Sequence, residues 1–275
     1  MAASEAVAAT SQLGARVVVG VLLIVVALAA LWAGGFGFGA LVAVAVLLMF
    51  AEWAQMFRLP RGLRLAGLVV LAGSVMLTII GQPLMAIAAL ATGAGILGLG
   101  ARPYVQARAS WVAIGLLYAG MPAIALIWLR GTQYGLALTL LTLVTVWATD
   151  IFAYFSGRAI GGPKLAPAIS PNKTWAGLIG GMAGSALTIW LVYGYLDGRI
   201  DVPPVPVLWL VVLAPVLAVV AQAGDFYESW LKRRVGVKDS GNLLPGHGGI
   251  MDRLDGLVPV AVVAAIGTAA LGLAA

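Results

Sequence analysis

The charged side chains of this chain are concentrated in one stretch of 33 residues, from Gly224 to Gly256. Only 9% of the whole chain is charged, yet this stretch holds five of the ten acids, five of the sixteen basic residues and the single histidine. They are Asp225, Glu228, Asp239, Asp252, Asp255, Lys232, Arg233, Arg234, Lys238, Arg253 and His247. Carboxylates beside lysines and arginines predict a site for a cation and a polyanionic substrate.

The spacing of these residues predicts how they are presented. Asp225, Glu228, Ser229 and Lys232 follow the i, i+3, i+4, i+7 rule, so we expect them on one face of a helix. Two further acids, Asp252 and Asp255, are again three residues apart, and the segment between the two groups is rich in glycine. Two pairs of acids are therefore expected to converge from the ends of adjacent helices.

Hard oxygen ligands of this kind suit Mg²⁺, whose remaining coordination is usually completed by water and substrate phosphates. Simpler explanations exist for single residues. Lys232, Arg233 and Arg234 are also typical of a basic patch beside anionic lipid headgroups. His247 alone could brace the glycine-rich loop, and Asp252 with Arg253 could form a local ion pair.

A second polar segment runs from Ser156 to Gly177, directly after Asp150 and the apolar run around it. Its prolines and glycines predict a shaped loop rather than a long helix. Four polar residues then precede a glycine-rich helix: Ser170, Asn172, Lys173 and Thr174. They suit a phosphate at a helix N-terminus, although, taken alone, a capping hydroxyl with a lysine beside the membrane explains them more simply.

The surrounding chain is strongly apolar, with 62% hydrophobic residues and a mean hydropathy of +1.05 over 275 residues. Apolar runs of about 20 residues match a bilayer, so we expect an all-α, polytopic integral membrane protein. Cysteine is absent, which leaves oxygen and nitrogen ligands for any catalysis or metal binding. The predicted spans are about nine: 17–32, 38–56, 65–80, 83–99, 111–128, 136–155, 176–196, 205–223 and 257–273.

The basic residues are unevenly divided between the two sides that these spans create. Fourteen of them fall on the side of the N-terminus, and only Arg130 and Arg199 fall on the other side. The positive-inside rule therefore predicts a cytoplasmic N-terminus and cytoplasmic motif loops. It also explains the net charge of +6 without a nucleic-acid partner. We expect helices 1–5 within residues 1–135 and catalytic helices 6–9 within 136–275, with motif loops at 156–176 and 224–256.

Two features within the spans have open explanations. Glu52, near the end of the second span, is either a functional or paired buried acid or a side chain that reaches the interface. Gly177, Gly181 and Ser185, with Gly180 and Gly184, are small residues four apart that allow close helix packing. This packing could lie within the chain or against a second copy.

The polar stretch resembles the family signature of phosphatidate cytidylyltransferase, also called CDP-diacylglycerol synthase. The match covers Ser229-Trp230-Leu231-Lys232-Arg233, Lys238-Asp239-Ser240-Gly241 and the run from Leu244 to Asp255, without gaps over 27 residues. The earlier loop is similar at Asp150, Ala153-Tyr154, Gly157-Arg158 and Ser170-Pro171-Asn172-Lys173-Thr174. It departs at Ala176, where the family has a glutamate, so the role of that acid is absent or supplied by another residue. About 100 residues of the C-terminal half are covered.

The resemblance implies transfer of CMP from CTP to phosphatidate, giving CDP-diacylglycerol and pyrophosphate, at a cell inner membrane. It implies Mg²⁺ with a possible second cation, membrane lipids as neighbours and a possible homodimer. As catalytic groups we expect Asp225, Lys232, His247 and Asp252, and as metal ligands Asp225, Asp252 and Asp255. As substrate-binding groups we expect Ser170, Asn172, Lys173, Thr174, Ser229, Arg233, Lys238, Asp239 and Arg253.

Two other classes of protein share some of these features. A transporter or channel also carries acids in membrane helices, but usually near the midplane and in repeated positions. Another CTP-using membrane enzyme, such as a polyprenol kinase or a CDP-archaeol synthase, would share the triphosphate chemistry and differ in its lipid. The products formed from CTP distinguish these classes.

Overall fold

The structure is a computed structural model that describes residues 20–100, 109–241, 243 and 248–274. Within these residues the chain forms ten helices and one short hairpin. The helices are α1 (Gly20–Ala33), α2 (Gly35–Met56), α3 (Arg61–Ile79), α4 (Pro83–Gly100), α5 (Ala109–Arg130), α6 (Gly135–Ile160), α7 (Trp175–Leu196), α8 (Val207–Val235), α9 (Met251–Leu254) and α10 (Leu257–Ala270). The strands are β1 (Lys164–Ala166) and β2 (Ser170–Thr174).

Helices α2 to α8 are each long and apolar enough to cross a membrane. The expectation of an all-α, multi-pass membrane protein is therefore confirmed. Helices α1 and α10 are apolar but have only 14 described residues each, a rise of about 21 Å against a hydrocarbon core of about 30 Å. The total of nine spans and the cytoplasmic N-terminus stay predictions.

The helices pack as two neighbouring groups. Helices α2 to α5 enclose one apolar core, in which the side chains of Phe50, Leu71, Leu90 and Leu116 are fully buried. Helix α7 packs against both α6 and α8. Helix α10 contacts α5, α6 and α8, so it joins the two groups. The predicted division of the chain at residue 135 stays a prediction.

Helix α7 approaches α6 closely through its glycines. A Cβ added at Gly180 would overlap the Ser156 hydroxyl, and one at Gly184 would overlap the Phe152 ring. A Cβ at Gly181 would lie 3.0 Å from the backbone oxygen of Thr149. The predicted close packing is confirmed, and it lies within the chain.

The segment between α6 and α7 contains more regular structure than its sequence predicts. Helix α6 continues to Ile160, beyond the expected end of the span at residue 155. The antiparallel hairpin of β1 and β2 follows, with Lys164 opposite Thr174 and Ala166 opposite Ser170. The prolines are accommodated because they interrupt a helix but can lie in short edge strands and turns. This hairpin presents Lys173 towards α8.

Candidate active site

Helix α8 carries one row of polar side chains beyond the apolar part of its sequence. The Ser229 hydroxyl donates to Asp225 Oδ1 at 3.3 Å. One turn further, Lys232 Nζ lies 3.4 Å from Glu228 Oε1. The prediction that these four side chains share a helical face is confirmed, because both contacts join residues four apart.

The hairpin brings the first motif loop to this face. Lys173 Nζ of β2 lies 2.5 Å from Asp225 Oδ2, as an ion pair without hydrogen-bond alignment. The same ammonium lies 4.6 Å from the centre of the Phe226 ring. Both side chains of the ion pair are largely buried, with 18% of Lys173 and 31% of Asp225 exposed. The two motif loops therefore meet at one place, although 52 residues separate these side chains in the sequence.

Asp252 is held by four donors. Its Oδ1 accepts from Lys232 Nζ at 2.6 Å, and its Oδ2 accepts from Ser240 Oγ at 2.9 Å, Ser240 N at 3.0 Å and Gly249 N at 2.8 Å. Burial disfavours the charged form, but the bonds from Lys232, Gly249 and Ser240 outweigh it and hold the pKa of Asp252 below its ordinary value. Asp252 therefore anchors the described parts of the connection between α8 and α9, residues 236–241, 243 and 248–250, hereafter the α8–α9 loop.

Glu228 and Asp255 bring two carboxyl groups together in the cluster. The two carboxyl groups are neighbours, and both oxygens of the fully buried Glu228 lack a hydrogen-bond partner. Two ionised carboxylates bring no donor to each other, so they need a proton or a cation between them. Burial first, and then the charge of Asp225, raise the pKa of Asp255 to about 6.

The charge balance of the cluster suits a divalent cation. Two ammonium groups, Lys173 and Lys232, face four acids, so two negative charges are in excess when all the acids are ionised. Within the described part of the chain, no three histidine, cysteine or acidic side chains lie close enough together to hold a metal ion. Mg²⁺ commonly uses only one or two carboxylates and completes its shell with water and phosphates. Glu228, whose two oxygens lack a hydrogen-bond partner, and its neighbour Asp255, whose Oδ1 accepts from Gly256 N at 2.8 Å, fit that pattern.

The structure places the other predicted residues around this cluster. Thr174 caps α7, because its buried hydroxyl accepts from Gly177 N at 3.1 Å, as the simpler explanation of that residue predicts. Ser170 is half-buried at the start of β2. The exposed members of the predicted set are Asn172, Arg233, Lys238, Asp239 and Arg253. The predicted role of His247 falls outside the described residues. All these substrate-binding roles stay predictions.

Four residues in or near the cluster were not among the predicted site residues. Glu228 was expected on the polar face, and its position there is the signal that identifies it. Ser240 contacts Asp252 directly, and Glu52 of α2 contacts Ser240. Glu52 could be suspected as the only charged residue of an apolar helix, but its partners could not be read from the sequence. Asp150 is within electrostatic reach of Asp225, Asp255, Lys173 and Arg253.

Comparison with known proteins extends over nearly the whole chain. The model of the Cytidylyltransferase family matches residues 14–271. A phosphatidate cytidylyltransferase of Brucella melitensis biotype 1 is 43% identical over 258 residues, covering 92% of each chain. One from Brucella abortus biovar 1 is 42% identical over 262 residues with the same coverage. One from Bacillus subtilis is 42% identical over 146 residues, covering 53% of this chain and 52% of its own. The similarity thus includes the N-terminal helices.

Proposed function

The chain belongs to the cytidylyltransferase family, and from that premise we propose that it transfers CMP from CTP to phosphatidate in phospholipid synthesis. The observation that carries the proposal is the meeting of Lys173, Asp225, Lys232 and Asp252, with the buried Glu228 and Asp255 pair beside them. This cluster offers both signs of charge to reacting phosphates. It lies where α8 continues beyond its apolar part, so a lipid and a water-soluble nucleotide can both reach it.

The reaction forms one phosphorus–oxygen bond and breaks another. A phosphate oxygen of phosphatidate attacks the α-phosphorus of CTP, and the bond from the α-phosphorus to the bridging oxygen of the β-phosphate breaks. The products are CDP-diacylglycerol and pyrophosphate. Because the attacking oxygen is already largely anionic at neutral pH, positioning and charge stabilisation dominate the catalysis.

The basic residues in and around the cluster divide into two roles. Lys173 and Lys232 are held rigidly by Asp225 and Asp252, so their ammonium groups are already oriented when negative charge develops on the phosphates. The exposed Arg233, Lys238 and Arg253 attract the triphosphate and the lipid headgroup. Arg253 already has a contact within the protein, which a phosphate oxygen would replace or join.

One or two carboxylates among Asp225, Glu228 and Asp255 would hold Mg²⁺, with water and the triphosphate as its other ligands, and the ion would neutralise charge on the triphosphate. Asp252 was also predicted as a ligand, but four donors already occupy its two oxygens. We therefore propose that Asp252 orients Lys232 and the α8–α9 loop, and contributes to cation binding only after one donor is displaced. The second cation and the homodimer also stay proposals, and both rest on the family resemblance alone.

We propose that this face of the protein is cytoplasmic and that the membrane is the inner membrane of the cell. The support is the distribution of the basic residues, since Arg130 and Arg199 alone fall on the opposite side. CTP is a cytoplasmic nucleotide, so this orientation exposes the cluster to its substrate. Accessibility labelling of single cysteines at 58 and 199 tests it, because the chain has no cysteine of its own.

The products formed from labelled CTP test the reaction. Purified protein in detergent is incubated with phosphatidate, Mg²⁺ and CTP labelled in its α-phosphate and cytosine. We expect both labels in a lipid product and the β- and γ-phosphates released as pyrophosphate. Release of labelled CDP would instead indicate a lipid kinase, and unchanged CTP would indicate a transporter or channel. A labelled lipid formed only with another phospholipid acceptor would overturn the choice of phosphatidate.

A further inference from the structure

Glu52 is a buried acid in an otherwise uncharged helix. It is the only charged residue of α2, lies four residues before the end of that helix, and is 2% exposed. A carboxylate is costly at such a position unless donors surround it. The hydrogen-bond donors around Glu52 indicate what its carboxylate does.

All its described hydrogen-bond partners belong to the signature segment nearly 200 residues later. Ile250 N donates to Glu52 Oε1 at 2.9 Å, and Met251 N donates to Oε2 at 2.9 Å. Ser240 Oγ lies 3.0 Å from the same Oε2. One side chain of α2 therefore contacts the α8–α9 loop at two places, Ser240 and Ile250.

The α8–α9 loop is shaped to admit this carboxylate. A Cβ added at Gly241 would lie 2.8 Å from Glu52 Oε1, and one at Gly249 would overlap Oε2. Real Cβ atoms do not approach carboxylate oxygens so closely, so any larger residue at either position would displace the loop or the acid. The Glu52 side chain of α2 therefore explains why the signature has glycine at positions 241 and 249.

Ser240 connects Glu52 to Asp252. Its hydroxyl lies 3.0 Å from Glu52 Oε2 and 2.9 Å from Asp252 Oδ2. The hydroxyl has one proton, so it donates to one carboxylate at a time and the two acids share it. Met251, whose N–H is bound by Glu52, directly precedes Asp252 in the chain. Any movement of Glu52 is therefore transmitted to Asp252 by two routes.

We propose that Glu52 is a positioning residue, which fixes the α8–α9 loop so that Asp252 meets Lys232. Its described hydrogen bonds join it to Ser240, Ile250 and Met251, so it acts through these residues. The structural part of this proposal concerns the loop alone, and its kinetic consequence rests on the proposed cytidylyltransferase function. The N-terminal helices would thus contribute directly to the order of the active site.

Hydrogen exchange measures the structural part without any substrate. Glu52→Gln keeps the volume of the side chain but replaces one carboxylate oxygen by an NH₂ group. This NH₂ group cannot accept a hydrogen bond, so one of the two backbone N–H groups loses its acceptor. We expect the amides of Ile250 and Met251 to exchange at least about tenfold faster, while those of α6 and α7 are unchanged. Gln55→Ala, at an exposed position of the same helix, is the matched control. Phe50→Leu serves as a control for general destabilisation, because Phe50 is fully buried against Gly67 of α3.

Kinetics measure the second part. We expect Glu52→Gln to lower kcat at least about tenfold, equivalent to about 1.4 kcal/mol, with KM for CTP changed by less than about threefold. We expect Glu52→Gln with Ser240→Ala to lower kcat no further than the more severe single change, because both act through Asp252. Phe50→Leu should lower the melting temperature and leave kcat near wild type.

Each other outcome contradicts the proposal. Unchanged exchange at Ile250 and Met251 would show that Glu52 does not hold the loop. Uniformly faster exchange, as expected for Phe50→Leu, would show a role in general stability only. Faster exchange at Ile250 and Met251 alone, with kcat unchanged, would show that fixing the loop does not contribute to catalysis. If the wild-type protein lacked activity with phosphatidate, the function would be wrong, and the exchange experiment would still decide the positioning role.

Discussion

Replacement of Lys232 by methionine should destabilise the protein through the acids that it leaves behind. Lys232 Nζ lies 2.6 Å from Asp252 Oδ1 and 3.4 Å from Glu228 Oε1, and only 15% of the lysine side chain is exposed. Methionine has a similar length and no charge. Asp252 keeps its bonds from Ser240 and Gly249, but the fully buried Glu228 loses the cation that faces it.

The magnitude follows from this burial. Breaking a buried ion pair by removing one partner costs about 3–5 kcal/mol, and the residual exposure of Lys232 places this case near about 3 kcal/mol. For a chain of this size, each kcal/mol lowers the melting temperature by about 2–4 °C. We therefore expect a decrease of about 6–12 °C for Lys232→Met, together with loss of activity.

The assay is thermal unfolding in detergent, monitored by far-UV circular dichroism, for a set of three variants. Lys232→Met with Glu228→Gln should recover part of the lost stability, because the acid that lost its cation is now neutral. Lys238→Met, at an exposed lysine of the α8–α9 loop, should melt within about 2 °C of wild type. An unchanged melting temperature for Lys232→Met, or no recovery in the double variant, would refute the reasoning about the buried charges.

Three further predictions concern the helix contacts and the titration of the site. Gly181→Leu should destabilise the α6–α7 contact by about 1–3 kcal/mol, whereas Gly194→Leu in the same helix, where a side chain meets open space, should melt like wild type. Thr174→Ala should lower stability by about 1 kcal/mol because α7 loses its N-cap, and Thr174→Ser should restore it in the same melting assay. Asp255 has a folded pKa of about 6, above its ordinary value, so its protonation stabilises the metal-free fold. The melting temperature in EDTA should therefore rise as the pH falls from 7 to 5. Asp255→Asn should remove the part of this rise that comes from Asp255. An equal rise in the variant would show that other groups cause it.

The sequence predicts contacts along a helix better than contacts between helices. The spacing of Asp225, Ser229, Glu228 and Lys232 predicts their shared face, because residues four apart are neighbours on any α-helix. Both observed contacts are of this kind. Hydropathy likewise locates the long apolar helices, since the bilayer sets the length of a span, although α6 and α8 continue beyond the predicted ends at 155 and 223 to Ile160 and Val235.

Long-range contacts depend on packing, which no local pattern encodes. The bonds of Glu52 to Ser240 and Ile250 join residues 188 and 198 positions apart. The hairpin that carries Lys173 to Asp225 was also not predicted, because prolines indicate where a helix ends and not which strands then pair. Asp252 was expected to be free for a cation, and only the folded loop shows how many donors it accepts.

Release of pyrophosphate tests the central claim most directly. Wild-type protein, Asp225→Asn and Asp201→Asn are compared in detergent with CTP, Mg²⁺ and phosphatidate; Asp201 is an exposed acid between α7 and α8. The account predicts phosphatidate-dependent release by wild type and by Asp201→Asn, and a loss of at least about a hundredfold in Asp225→Asn, whose side chain pairs with Lys173. Full Mg²⁺-dependent release by Asp225→Asn would contradict the assignment of the active site.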